Sequence, residues 1–120
     1  MATVNGVIGQ QTITDKSVID DRHPAVIRFM QFKADNGIIG AGEILALDSN
    51  GDVVSYDPAS GGTEASPIGV CSSQTDTAKD TAGGVIIHGT VVGASLLTLG
   101  VKAVSAEIEA LEANTLIWSF

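Results

Sequence analysis

Hydrophobic and polar positions divide the chain into a polar N-terminal stretch and a longer remainder with β patterning. In residues 1–25, isolated Val and Ile alternate with Thr, Asn, Gln, Asp and Gly, without a helical period and with few large side chains. This pattern predicts an extended arm that closes at Pro24. Residues 26–120 predict one β-rich domain, in which Val26 to Lys33 (VIRFMQFK) forms a first core strand.

A β-hairpin is predicted around Asn50 and Gly51. Ile44 to Ser49 and Asp52 to Tyr56 flank this pair, and Asn-Gly readily supplies the two positive φ angles of a type I′ turn. A two-residue loop sets the register of the strands. Four large side chains would then share one face: Leu45, Leu47, Val54 and Tyr56.

Short apolar runs and turn residues predict the rest of the sheet and one helix. Loops are expected over 57–66 and 73–84, and strands over 67–72 and 85–92, the latter with a bulge at Gly89. A helical stripe with a left-handed C-terminal cap follows, formed by Val101, Val104, Ile108, Leu111 and the capping Asn114.

The last six residues, TLIWSF, predict a final strand. Trp118 and Phe120 fall on one face of it and Ile117 on the other. Tyr56 and Trp118 are both predicted to be core residues. No repeat of 20–50 residues is present, which excludes a solenoid.

Composition narrows the class of protein. A chain of 120 residues predicts one domain, and with 44% hydrophobic but only 4% aromatic residues its core must consist of Val, Ile, Leu and Ala. The net charge of −8 repels phosphate and argues against nucleic-acid binding. No apolar run approaches the ~20 residues of a membrane span, and no signal peptide is recognisable. Cys71, the single cysteine, is expected to be a buried, reduced thiol.

Candidate chemistry is sparse in the sequence. His23 and His88 have no metal-ligand spacing, and we expect a solvated role for the first and a structural role for the second. Asp48 to Asp52 superficially resembles a calcium loop, but Ala59 occupies the position of its final glutamate. Nucleotide-binding glycine motifs and a G-x-S-x-G elbow are also missing. The sequence therefore predicts a protein that is not an enzyme and has no catalytic residues, cofactor or metal.

The order of the predicted strands carries a resemblance to a known family. Four segments follow one another: Gly42 to Gly51, Val53 to Pro58, Pro67 to Val70, and Val85 to Val92. With the helix and final strand, this order over roughly residues 40–120 resembles the head decoration proteins of lambda-like bacteriophages. Those proteins commonly carry a "G-x-hydrophobic-L" strand, a "G-x-hydrophobic-V-x-Y/W-D" strand, a "G-I/V-L" strand and an "R/H-G-x-V" strand in this order.

The resemblance implies a fold, a partner and a location. It implies a small domain of the β-clip type that forms homotrimers on the outer surface of the expanded capsid. There it binds the major capsid protein and stabilises the head against internal DNA pressure, after synthesis in the host cytoplasm. The arm is expected to pair with capsid segments through seven residues: Thr3, Val4, Val7, Ile8, Gln10, Thr12 and Ile13.

Two other functions remain open from the sequence. The chain could be another phage structural component, such as a head fibre base or a tail protein, and its position on purified particles would separate these roles. It could also be a soluble ligand-binding β module, which would require an exposed aromatic platform.

Overall fold

The computed structural model describes residues 18–20 and 22–120. Of the predicted arm over residues 1–25, positions 1–17 and 21 therefore lie outside the described residues. The strands that follow are β1 (Val26–Gln31), β2 (Ile38–Ile39), β3 (Ile44–Leu47), β4 (Val53–Ser55), β5 (Gly69–Cys71), β6 (Thr75–Asp76), β7 (Ala82–Val91), β8 (Leu97–Thr98), β9 (Val101–Lys102) and β10 (Leu116–Ser119). One α-helix, α1 (Ser105–Asn114), lies between the last two strands, and 3-10 turns occupy Thr63–Ala65 and Gly93–Ser95.

The ten-residue strand β7 organises the main sheet, whose order is β10-β7-β5-β3-β4 with β1 also paired to β7. His88 on β7 is opposite Val26 of β1 and Leu116 of β10, so these strands lie on opposite edges of β7. All pairings in this sheet are antiparallel except that of β10 with β7. The prediction of a mainly β domain with one short C-terminal helix is confirmed.

The main sheet has a hydrophobic cluster on each face. Consecutive residues of a strand belong to different clusters: Val70 and Ile86 lie in the larger one, and their neighbours Cys71 and Val85 lie in the smaller one. The larger cluster consists of Val18, Ile44, Ala46, Tyr56, Val70, Ile86, Val91, Leu96, Ala103, Leu111 and Ile117. The smaller one consists of Phe32, Ile39, Leu45, Val53, Cys71 and Val85. Burial on both faces explains why the central strands are continuous apolar runs rather than alternating ones.

The predicted hairpin exists, but its register and turn are different. The Asp48 N–H donates to the Asp52 carbonyl at 2.8 Å, and Leu47 is opposite Val53, so the loop contains three residues; only Gly51 in it has a positive φ, of 84°. The Asp48 carboxylate accepts the N–H groups of Asn50 and Asp52 at 2.9 Å and holds this loop. A three-residue loop of this kind shifts the pairing by one residue relative to a type I′ turn.

Because of this one-residue shift, Leu45 and Leu47 are opposite different residues from those predicted. Leu45 is opposite Ser55, and Leu47 is opposite Val53. Leu45 and Val53 belong to the smaller cluster, whereas Tyr56 belongs to the larger one. The prediction that Leu45, Leu47, Val54 and Tyr56 share a face was therefore wrong, because it assumed the register of a two-residue loop.

The predicted core strand over 26–33 is an exposed edge strand. Five of the six residues of β1 are exposed, and only the following Phe32 is fully buried. The predicted loop over 73–84 was also wrong in part, because β6 pairs with β2 and β7 already begins at Ala82. Thr77 holds this region in place by donating its hydroxyl to the carbonyl of Gly37 at 2.6 Å.

The helix is shorter than predicted and capped differently. Leu111 is its only buried residue, while Val101 lies exposed in β9 and Val104 precedes the helix. The Glu107 carboxylate caps the N-terminus by accepting the Val104 N–H at 2.9 Å. At the other end Thr115 is extended, so the predicted left-handed cap at Asn114 was wrong. The bulge predicted at Gly89 lies two residues earlier, because the β1–β7 pairing skips Ile87; Gly89 itself stays within the strand with a positive φ of 123°.

Two buried ionisable groups predict loss of stability in alkali. Burial raises the pKa of Tyr56, and the Glu107 carboxylate raises it further. Burial also raises the pKa of the Cys71 thiol, against hydrogen bonds with Thr75 and Ser73 that lower it. Both groups release their protons at lower pH in the unfolded chain, so the free energy of unfolding falls as pH rises above about 8.5 for the thiol and about 10 for the phenol.

Urea unfolding between pH 7.5 and 11 measures this loss, and Tyr56→Phe provides a matched control. The variant keeps the ring and removes the ionisable hydroxyl, so we expect a smaller fall in stability above pH 10. Parallel losses in the variant and the parent protein would contradict the contribution of Tyr56.

Candidate docking surface

The seven arm residues predicted to bind the capsid lie outside the described residues. They are Thr3, Val4, Val7, Ile8, Gln10, Thr12 and Ile13. The structure therefore leaves that prediction as it stands. The candidate site described below comes from the folded domain, immediately after the arm.

Residues 22–25 form a strap that crosses over Thr90 of β7. The Thr90 hydroxyl, which is buried, accepts the His23 N–H at 3.0 Å and donates to the Asp20 carbonyl at 2.8 Å. The Asp20 N–H in turn donates to the Thr90 carbonyl at 3.0 Å. Gly89 allows this approach, because a Cβ at this position would lie 2.9 Å from the Ala25 Cα. One buried threonine thus fixes the start of the described chain against β7.

The strap brings two of its side chains onto β10 and completes a cluster of rings. The ring centroids of His23 and His88 are 4.9 Å apart, and each lies about 6 Å from that of Trp118. The Arg22 guanidinium lies 4.4 Å from the centroid of the Phe120 ring, in cation–π contact. We call these five residues, Arg22, His23, His88, Trp118 and Phe120, the aromatic patch.

The aromatic patch is open to solvent. Trp118 is 42% exposed and Phe120 is 60% exposed, whereas Ile117, which precedes Trp118, is fully buried. The predicted alternation of β10 is confirmed, but the prediction that Trp118 is a core residue was wrong, while Tyr56 is buried as predicted. The aromatic patch could not be predicted from the sequence, because its members come from three distant segments. The alternation in LIWSF was the one signal that could have indicated it.

The charges of the patch are partly balanced. Arg22 donates to the Asp20 carboxylate at 3.0 Å, which is the only ion pair in the described part of the chain. The buried His88 Nδ1 atom has no hydrogen-bond partner among the described residues. Among the described residues, the two histidine rings make a single hydrogen bond, between His23 Nδ1 and the Pro24 carbonyl at 3.1 Å. The histidines therefore contribute ring contacts rather than a hydrogen-bonded catalytic pair.

A second exposed apolar surface follows directly from the strap. Val26, Ile27 and Phe29 of β1 are all exposed, and Phe29 is 76% exposed. Arg28 carries the only charge on this strand, and it makes no ion pair within the described residues. Exposed aromatic and aliphatic side chains on an edge strand are typical of surfaces that bind other proteins.

A third exposed feature is the β8–β9 hairpin. Its turn residues Leu99 and Gly100 both have positive φ, of 51° and 79°. The buried Glu43 carboxylate accepts the Gly100 N–H at 3.0 Å and fixes the turn. Leu99 and Ile38 line a groove of about 370 Å³ on this side of the domain. The groove is open and has no cluster of ligating side chains.

Metal-ligating clusters and long apolar helices are both missing from the described residues. No group of three or more His, Cys, Asp or Glu within 18–20 and 22–120 could hold a metal ion. In the same part of the chain, no helix has the length and apolar character required to span a membrane. Cys71 is buried and free, as predicted.

No protein-family model matches the sequence, and no curated protein matches it either. What the chain does is therefore inferred from its own residues. Three features of the domain bear on that inference: the aromatic patch, the apolar edge of β1, and the point at which the N-terminal arm joins both.

Proposed function

We propose that the chain is a bacteriophage capsid decoration protein that binds the outer surface of the mature head as a trimer and stabilises it against internal DNA pressure. The aromatic patch is the observation that carries this proposal. Trp and Arg are the residue types that most often dominate the energy of protein interfaces, and Phe adds apolar area. Trp118, Phe120 and Arg22 meet on one small exposed surface.

The position of the patch suits a two-part attachment. The arm enters the domain at Val18, whose carbonyl accepts the Val92 N–H at 2.8 Å, and the strap and patch follow within a few residues. A partner held by the arm would therefore lie beside the patch. Arm residues such as Val4, Ile8 and Ile13 would add a strand to a capsid sheet edge by main-chain hydrogen bonding.

Multiple attachment would make weak contacts sufficient. Three arms on one trimer raise the effective concentration of each remaining arm once the first has bound. The surplus of acidic residues would keep the subunit soluble and away from packaged DNA. Light scattering at micromolar concentration tests the trimer directly, and a monomeric mass would count against a stable free trimer.

Co-sedimentation with mature, undecorated capsids of the encoding phage tests the function. Four chains are compared: the full-length protein, a version lacking residues 2–14, Phe120→Ser in the aromatic patch, and Val101→Ser as a control. Val101 is also an exposed apolar residue, but it lies on the β8–β9 hairpin. We expect saturable binding by the full-length and control proteins, and at least tenfold weaker binding by the other two.

The outcomes separate the parts of the proposal. Binding that survives deletion of the arm but not Phe120→Ser would assign attachment to the folded domain alone. Failure of the full-length protein to bind any capsid would reject the decoration role.

Exposure of Trp118 favours one alternative, a soluble ligand-binding β module. Aromatic side chains that reach solvent can stack against sugars or other planar ligands. The Trp118 ring, however, makes angles of 57° and 86° with its two histidine neighbours, so the patch is not a flat platform. Trp118 is the only tryptophan, so its fluorescence reports on this site alone. A saturable change on titration with oligosaccharides would support the alternative.

A further inference from the structure

One edge of the main sheet is open along β1. The Phe32 N–H donates to the Thr81 carbonyl at 2.6 Å, so Phe32 directs its backbone groups towards the strand that contains β7. Backbone groups alternate in direction along an antiparallel strand, so those of Ile27 and Phe29 point away from β7. Within the described residues, no strand pairs with Ile27 or Phe29 on that side. Such an edge can accept a strand of another chain by main-chain hydrogen bonding.

The side chains of this edge combine apolar surface with one positive charge. Ile27 and Phe29 lie on one face of β1, where they are 43% and 76% exposed. Arg28 is exposed on the other face and makes no ion pair within the described residues. Residues 22–34 contain three of the six basic residues and none of the fourteen acidic ones, and β7 has no acidic residue either. Arg28 therefore has no carboxylate on its own strand or on the strand beside it.

The geometry of the edge defines the kind of strand that fits it. An added antiparallel strand would form its hydrogen bonds with Ile27 and Phe29, whose backbone groups point outwards. Arg28 would then belong to a non-hydrogen-bonded pair, in which the facing Cα atoms are only about 4.5 Å apart. A carboxylate at the facing position would pair with the guanidinium, and apolar residues on either side of it would cover Ile27 and Phe29.

A second copy of β1 does not provide such a strand. Two antiparallel registers join the outward-pointing backbone groups of two copies with the greatest overlap, and they place Arg28 opposite either Arg28 or Met30 of the other copy. The first register sets like charges against each other, and the second leaves the guanidinium without a carboxylate. Each chain also carries a net charge of −8, which opposes the pairing of two copies.

We propose that β1 accepts, as an added strand, an extended segment of another protein that carries an acidic residue between two apolar ones, with the acidic side chain facing Arg28. Because β1 begins opposite His88, an antiparallel segment would end beside the aromatic patch. The proposal goes beyond the proposed function, because the folded domain alone defines this edge and no capsid is required.

A blocked peptide of sequence Ser-Thr-Val-Glu-Val-Thr-Ser is the probe, titrated into the isotope-labelled full-length protein and followed by NMR. We expect saturable shifts of the β1 amides, with slower hydrogen exchange at Ile27 and Phe29. Exchange at Arg28 and Met30 should stay unchanged, because their N–H groups already point towards β7. Replacing the peptide Glu by Gln should weaken binding about two- to fivefold, the usual effect of one cross-strand charge pair. A peptide with N-methylated valines lacks the required N–H donors and should not bind.

Reversing the charge of Arg28 tests the acidic specificity directly. We expect Arg28→Glu to prefer the peptide with Lys in place of Glu, which is the opposite of the preference of the parent protein. Lys102→Glu is the matched control, because Lys102 is also an exposed basic strand residue but lies on the β8–β9 hairpin. This control should retain the parent's preference. Unchanged amide shifts in β3 and β5 verify that each variant keeps its fold.

Four results would overturn the proposal. Equal affinity for the Glu, Gln and Lys peptides would reject an acidic partner, and the absence of saturable shifts at millimolar peptide would reject strand addition. Protection of β1 that rises with protein concentration would assign the edge to a second copy. Binding seen only after deletion of residues 2–14 would assign the edge to the chain's own N-terminal segment. Failure to sediment with capsids would reject the decoration role and leave these peptide results unaffected.

Discussion

Replacing Phe32 by alanine lowers the free energy of unfolding by about 3–5 kcal/mol, the usual cost of emptying a buried phenylalanine site. Phe32 is fully buried in the smaller cluster, where it packs with Leu45, Val53 and Val85. Its ring also fills the space left by Gly83, because a Cβ there would lie 2.8 Å from the Phe32 ring. A loss of this size is a large part of the ~5–15 kcal/mol that stabilises a typical domain.

Phe29→Ala is the matched control, because it makes the same chemical change three residues away. Phe29 is 76% exposed, so we expect its replacement to change stability by about 0.5 kcal/mol or less. Urea denaturation of both variants measures the difference. A loss from Phe29→Ala as large as that from Phe32→Ala would mean that β1 is buried on both sides. A loss of only about 0.5 kcal/mol from Phe32→Ala would mean that the smaller cluster does not depend on Phe32.

Gly89→Ala has the second large expected effect, because it combines backbone strain with a steric clash. Gly89 has φ of 123°, which side chains disfavour, and a Cβ would lie 2.9 Å from both the Ala25 Cα and the Pro24 carbonyl oxygen. We expect a loss of about 2–5 kcal/mol from the two effects together. The strap must also move away from β7, which separates His23 from Trp118.

Two measurements check this prediction. Thermal unfolding reports the loss of stability, and the emission of Trp118 reports displacement of the strap from the aromatic patch. Gly61→Ala is the control, since a Cβ there meets no atom within 4 Å. Unchanged Trp118 emission in folded Gly89→Ala protein would show that the strap does not depend on the close approach at Gly89.

The sequence predicted the type of most elements but not their burial. The hairpin at Asn50-Gly51 and the strand over 85–92 follow from local turn chemistry and β-branched runs, which act over a few residues. The register of the hairpin did not follow, because the Asp48 carboxylate favours a three-residue loop. A sheet buried on both faces also removes the alternation from which a register is normally inferred.

The helix and the aromatic patch show a second limit. The spacing of Val101 and Val104 fits a helical period, but a β-turn with two positive φ angles at Leu99-Gly100 places Val101 in strand β9 instead. Leucine rarely adopts that conformation, and the buried Glu43 carboxylate, distant in sequence, holds the turn. Likewise, Arg22 meets Phe120 only because both segments pack on β7. Contacts across nearly a hundred residues leave no local pattern.

The pairing of β7 with strands from both ends of the chain has a consequence for the time course of folding. β7 joins residues 18–20 and β1 on one edge, far upstream in sequence, and β10 on the other. Ile117 of β10 closes the larger cluster, so no N-terminal fragment ending before that residue contains a complete core. Sheets dominated by such distant pairings fold slowly, on the order of milliseconds to seconds. Newly made chains would therefore expose unpaired β7 edges for that interval, when chaperones have the greatest opportunity to bind them.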